Sequence, residues 1–148
     1  GNGGSAGDAQ HVAAELVGRF ERARRPLAAL ALTADSHVMT SIGNDEGYEL
    51  VFVRQIEALG RPGDVALGIT TSGRSPNVVA ALARARALGL TTIALTGRDG
   101  GEAGRVADLH VNVATGSTAR AQEVHRTLLH ALCALVERAV AERQAVAS

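Results

Sequence analysis

Lysine is absent: all fifteen basic residues are arginine, which excludes any mechanism built on a lysine Schiff base. Cysteine occurs once, at Cys133, so no internal disulfide can form and stability must come from an ordinary apolar core. The aromatic residues are limited to Phe20, Tyr48 and Phe52, and the formal net charge is zero. Without stacking rings or a basic excess, nucleic-acid binding is disfavoured. The chain lacks the run of about 20 apolar residues that a membrane-spanning helix requires and opens without a secretory leader. We therefore expect a cytoplasmic protein that engages neither membrane nor nucleic acid. Its 148 residues suffice for one domain that buries about 70% of its unfolded surface.

Glycine, by contrast, is concentrated where it can serve chemistry. The stretch Gly1-Asn2-Gly3-Gly4-Ser5 runs into His11-Val12-Ala13-Ala14-Glu15. A glycine-rich turn opening a helix lets backbone N–H groups approach an anion closely, and the helix start adds partial positive charge. His11 and Glu15, four residues apart, fall on one helix face and can converge on one metal ion or one substrate atom. A phosphate-binding turn normally follows a buried strand, so we expect a first strand and an amino-terminal helix upstream of residue 1.

Further along, the pattern predicts a helix over residues 8–19, then a solvated connection through Arg22, Arg24, Arg25 and Pro26. Leu27 to Thr33 reads as a buried strand and Ser36 to Asp45 as a loop carrying Gly43-Asn44-Asp45. Residues 46–59 read as a helix closed by Gly60 and Pro62. Val65 to Ile69 is the next strand. In the turn Thr70-Thr71-Ser72-Gly73-Arg74-Ser75-Pro76, Ser75 is a natural N-cap and Pro76 a natural first helical residue. That helix runs to Gly89, and Leu90 to Thr96 is another buried strand. A turn over Gly97 to Gly101, a short helix over 102–107, a strand over Leu109 to Val113 and a long helix over about 119–144 complete the chain. Four unalternating apolar strands interleaved with helices predict an α/β domain: three layers, a parallel Rossmann-like sheet flanked by helices.

In such sheets, ligands bind beyond the carboxyl ends of the strands, where both hydroxyl-rich turns and the Asn44-Asp45 loop fall. Ser5, Thr70, Thr71, Ser72 and Ser75 beside helix starts suit a dianionic phosphate monoester, although Ser72 and Ser75 could equally be plain caps. On the last helix, His130 lies among Leu128, Leu129 and Leu132, a setting that more often holds a packed histidine than a catalytic one. His125 reads as solvated or capping.

Taken together, Gly1 to Ser5, His11 to Glu15, Gly43 to Asp45, Gly68 to Ser75, Leu95 to Gly101 and Ala121 to His125 with His130 resemble the phosphoheptose isomerases of the sugar isomerase (SIS) fold. The resemblance spans the whole chain in six ordered motifs. It implies a five-stranded parallel sheet and a homotetramer with active sites between subunits. The implied activity is conversion of sedoheptulose 7-phosphate to glycero-manno-heptose 7-phosphate. Ser5, Ser72 and Ser75, with Thr70 and Thr71, would hold the phosphate. Asn2, Gly3, Gly4, Asn44, Asp45 and Gln122 would complete the substrate site, with Asn2 and Asp45 on sugar hydroxyls. Glu15 and His130 would move protons, and His11, Glu15, Gln122 and His130 would bind one zinc ion per subunit.

Such an interconversion passes through an enediol and needs a base, an acid and stabilisation of an oxyanion. Glu15 is open to two roles, free base or zinc ligand. Gln122 and His130, eight residues apart, would stand about 12 Å apart along one continuous helix, so either the helix begins irregularly or one ligand comes from a neighbouring subunit. Two departures from the family pattern stand out: Thr70 replaces a common serine and keeps the hydroxyl, while Ala119 replaces an aspartate found in some members. Two other readings remain: a non-catalytic protein that shares the glycine loop and binds a replication initiator, and a sugar-phosphate sensor that keeps the serine turn. The presence of both Glu15 and His130 favours the enzyme.

Overall fold

Strands that read as unbroken apolar runs are explained by what lies on their two sides. In the computed structural model, which describes residues 1–147 and side chains through residue 143, three parallel strands pair in the order β1 (Val65–Thr70), β2 (Thr91–Gly97) and β3 (Leu109–Val113). Val65 stands opposite Thr91, and Ile93 opposite Leu109. Successive side chains leave opposite faces. On one face Ile69 and Leu95 pack with Val12 of α1 (Gly4–Val17) and with Leu129 and Cys133 of α6 (Thr118–Ala147). On the other, Ala94 packs with Val78 and Leu82 of α4 (Pro76–Ala87), Val51, Phe52 and Ala103. Gly68 belongs to this second face, where a Cβ would lie 2.8 Å from Leu82 Cδ1. The three-layer α/β fold follows, with α2 (Ser36–Asp45), α3 (Val53–Leu59) and α5 (Gly101–Val106) completing the chain.

Several expectations are corrected. Leu27 to Thr33 forms no strand: it ends in a turn where the Ala34 N–H donates to the Ala31 carbonyl at 3.1 Å, packs Leu32 on the core and pairs with no strand among the described residues. The sheet described here therefore has three strands, not the four read from the pattern or the five of the resemblance. Ser36 to Asp45, expected as a loop, is helical because Asp35 accepts the Val38 N–H at 3.0 Å as N-cap and Met39 and Ile42 reach the core from one face. The helix expected over 46–59 divides into a short 3-10 turn at Tyr48–Leu50 and α3. Helix α1 starts earlier than residue 8, since the glycine turn leads straight into it. Gly3 is its N-cap, with φ 53°.

Candidate active site

Two helix starts meet at the carboxyl end of β1. Gly1 lies against the Ile69 carbonyl, so closely that a Cβ there would come within 2.9 Å of that oxygen. Asn2 and Asn77, the latter buried at the start of α4, exchange two amide hydrogen bonds of 2.9 Å. Tyr48 donates to Asn2 Oδ1 at 3.1 Å. The amino ends of α1 and α4 are thereby fixed side by side, and their aligned peptide dipoles favour a shared anion. Between them lie buried Ser5 and Thr70. Thr70 Oγ1 is 2.9 Å from Ser75 Oγ and 3.3 Å from Ser72 Oγ, and the Arg74 N–H donates to Ser72 Oγ at 3.1 Å. Ser75 does occupy the N-cap position, but its hydroxyl makes no capping bond. It turns into the hydroxyl cluster instead.

The turn is clamped from behind. Gly73 has φ 67° and its backbone packs directly on Gly100 and Gly101, while its carbonyl accepts the Ala103 N–H at 2.9 Å. A Cβ at Gly97 would stand 2.5 Å from the Thr71 carbonyl oxygen. Arg74 and Asp99 form an exposed ion pair that ties this turn to the next; the Arg74 hydrogen bond is the main cause holding the Asp99 carboxyl below its ordinary range. Asn44 and Asp45 sit exposed at the end of α2, where the Asn44 amide donates to Asp45 at 2.7 Å. Among the described residues, no hydrogen bond links their side chains to Asn2 or the serines.

The second half of the site is a ladder between α1 and α6, which run in the same direction. At its first rung Gln122 presses on Gly4, where any Cβ would collide with the Gln122 side-chain amide. At the second, Arg126 Nε donates to buried Asp8 at 2.7 Å. At the third, His11 Nε2 and His130 Nε2 stand 2.9 Å apart, so one ring holds the proton between them, and His11 Nε2 lies 3.4 Å from Glu15 Oε1. The Phe20 ring stacks on His130 with centroids 5.4 Å apart and planes 30° apart.

His11, Glu15 and His130 are thus brought together and Gln122 is not. Helix α6 is continuous from Thr118, which removes the irregular start that might have carried Gln122 to His130. Two imidazole nitrogens and a carboxylate are zinc-type donors. The two imidazole nitrogens face each other, and no group of three or more His, Cys, Asp or Glu among the described residues is arranged to hold a metal ion.

Sequence reasoning missed the floor of this site. Arg24, expected in water, has a side chain only 2% exposed and forms an ion pair of 3.0 Å with Glu137, itself 1% exposed. Glu137 also accepts the N–H groups of Phe20, Glu21 and Arg22 at 2.8, 3.0 and 2.9 Å. Burial pushes the Glu137 carboxyl up, but these three donors and Arg24 outweigh it and bring it to about 2. His125, expected in water or as a cap, is fully buried and donates from Nε2 to the Thr96 carbonyl at 2.9 Å. Asn77 and Asp8 were overlooked because a lone polar residue in a helix pattern carries no sign of its distant partner.

Comparison with known proteins agrees with this geometry. The model of the SIS domain family matches residues 1–97. The phosphoheptose isomerase of Aquifex aeolicus is 59% identical over 143 residues, covering 97% of this chain and 75% of that protein. That of Geotalea daltonii is 56% identical over 138 residues, covering 93% and 72%. The solved structure of the phosphoheptose isomerase from Neisseria gonorrhoeae aligns with a TM-score of 0.88 at 49% identity, over 93% of this chain and 73% of that one. The enzyme from Francisella tularensis aligns equally well at 38% identity over the same shares. By these identities over more than nine-tenths of its length, the chain belongs to the phosphoheptose isomerase family of SIS domain proteins.

Proposed function

We propose that this protein interconverts sedoheptulose 7-phosphate and glycero-manno-heptose 7-phosphate, and that Glu15 and His130 carry the proton transfers. The single observation that carries the assignment of roles is the meeting of His11, Glu15 and His130 on α1 and α6, one end of a ladder whose other end is the hydroxyl cradle. From Ser5 to His11 the helix advances about 9 Å. A sugar chain from C7 to C2 has five carbon–carbon bonds, about 7.5 Å of contour at ~1.5 Å each. A phosphate on Ser5, Thr70, Thr71, Ser72 and Ser75 thus places the reacting carbons near the carboxylate and the imidazoles.

Chemically, Glu15 as base takes the proton from C1 of the ketose while the C1–H electron pair forms the C1=C2 bond of an enediol. His130 gives a proton to the C2 oxygen as its carbonyl bond opens. Reversal on the other carbon, with a proton delivered to C2 and one removed from the C1 oxygen, yields the aldehyde. Asn2, Gly3, Gly4, Asn44, Asp45 and Gln122 complete the substrate contacts. His11, Glu15 and His130 have the donor chemistry to hold zinc, which would add Lewis-acid polarisation of the carbonyl. Gln122 would join them only across a subunit boundary, and Glu15 would then serve as ligand as well as base.

A homotetramer supplies such a boundary. Apolar side chains at Leu109, Val111 and Leu135 are 55%, 45% and 58% exposed, which suits burial between copies. Light scattering on the purified protein should return four times the 15.2 kDa chain mass, and a monomer mass would remove the interfacial site. The activity itself is tested by incubating the protein with sedoheptulose 7-phosphate, with and without zinc and a chelator. We expect aldose phosphate to form and chelation to slow it; no aldose under any of these conditions would overturn the proposal.

A further inference from the structure

The Arg24–Glu137 pair touches no substrate in the reading above, yet its contacts reach the backbone of Glu15 directly and His130 through Phe20. Arg24 Nη2 donates to the carbonyl oxygen of Glu15 at 2.7 Å and Nη1 to that of Leu16 at 2.9 Å. These carbonyls belong to the last turn of α1, where no intrahelical partner is available. Glu137 lies on α6, beyond His130, and through the N–H groups of Phe20, Glu21 and Arg22 it fixes the strand of chain that leaves α1. Phe20 is the residue in that strand whose ring stacks on His130.

We propose that Arg24, Glu137 and Phe20 are positioning residues of the isomerisation. The buried ion pair holds the backbone of Glu15 from one side and sets Phe20 as the wall that fixes the His130 ring from the other. A buried ion pair is weak evidence for a gain in stability, since desolvation of two charges offsets much of their attraction. Its value here lies in geometry: Arg24 bonds the Glu15 carbonyl directly, and Glu137 bonds the Phe20 N–H, one contact away from the His130 ring. Proton transfer needs donor and acceptor within hydrogen-bond reach, and a displacement of about 1 Å can reduce a rate by ~10²-fold. This inference rests on the assignment of Glu15 and His130 as base and acid.

The test uses Phe20→Leu, Phe20→Tyr, Glu137→Gln and His130→Ala in the full chain, with steady-state kinetics on sedoheptulose 7-phosphate and a thermal unfolding scan of each. Phe20→Leu keeps the N–H that Glu137 accepts and removes only the ring. We expect its kcat to fall on the order of tenfold with KM changed by less than about twofold. Phe20→Tyr, which keeps the ring, should restore kcat, and Glu137→Gln, where it folds, should lower kcat in the same way. A Phe20→Leu enzyme with the wild-type kcat, beside an inactive His130→Ala, would overturn the positioning role alone. Wild-type turnover in His130→Ala would overturn the acid–base assignment and this inference with it.

Discussion

Glu137 illustrates how much a single buried carboxylate can organise and how little of that is visible in a linear sequence. Its nearest backbone donor, Phe20, is 117 residues away, and a glutamate in the second half of a long helix reads as one more solvated charge. Arg24, in a run of arginines, read the same way. Ser75 was legible as an N-cap because the Ser-Pro pair marks a helix start, but the direction of its hydroxyl depends on Thr70 across the turn. The lowered Glu137 carboxyl has a thermodynamic consequence. Its folded value of about 2 lies below the ordinary 4.5, so the stabilisation is fully present above the unfolded value and is lost as pH falls from about 4.5 toward 2. Urea unfolding of wild type and Glu137→Gln across that window should converge as the pH falls, with the variant less stable at pH 7. A constant gap between the two at every pH would contradict the assignment.

At the level of elements, the start of α4 at Pro76 was read correctly because its chemistry is local, whereas α1 begins at Gly4 and not at residue 8. Glycine, serine and proline fix φ, cap and first helical residue within a few positions. Helix α2 escaped the same reading, since its apolar positions Met39 and Ile42 are few and its Asp35 cap stands in a stretch rich in polar residues. The Leu27 to Thr33 segment failed for the converse reason: apolar content can announce burial, but a strand exists only where a neighbour completes the ladder. The close approach of the Gly73 turn to Gly100 and Gly101 makes a strong prediction. Gly73→Ala would add a Cβ both at positive φ and into the facing backbone, so it should destabilise the fold by about 2 kcal/mol or more. Chemical denaturation measures this directly, and a change within ~0.5 kcal/mol would show that the turn has room to move.

Across the whole molecule, the three-layer arrangement puts the proposed site at one end of the sheet and along one helix pair. Gly1 against the Ile69 carbonyl and the Asn2–Asn77 amide pair bring the starts of α1 and α4 together, and the parallel packing of α1 on α6 sets His11 beside His130 although they are 119 residues apart. The layered α/β architecture and the start of α4 were legible from periodicity and turn grammar. The pairing of α1 with α6 was not, because the register between two helices is decided by packing that no local spacing records; only the family resemblance had joined these residues. The account stands most directly on that pairing. Turnover of sedoheptulose 7-phosphate by Glu15→Gln and His130→Ala, measured beside binding of a phosphate-bearing sugar, should fall at least ~10²-fold in each variant while binding stays measurable. Unchanged turnover in both variants would show that the α1–α6 cluster is not the acid–base pair.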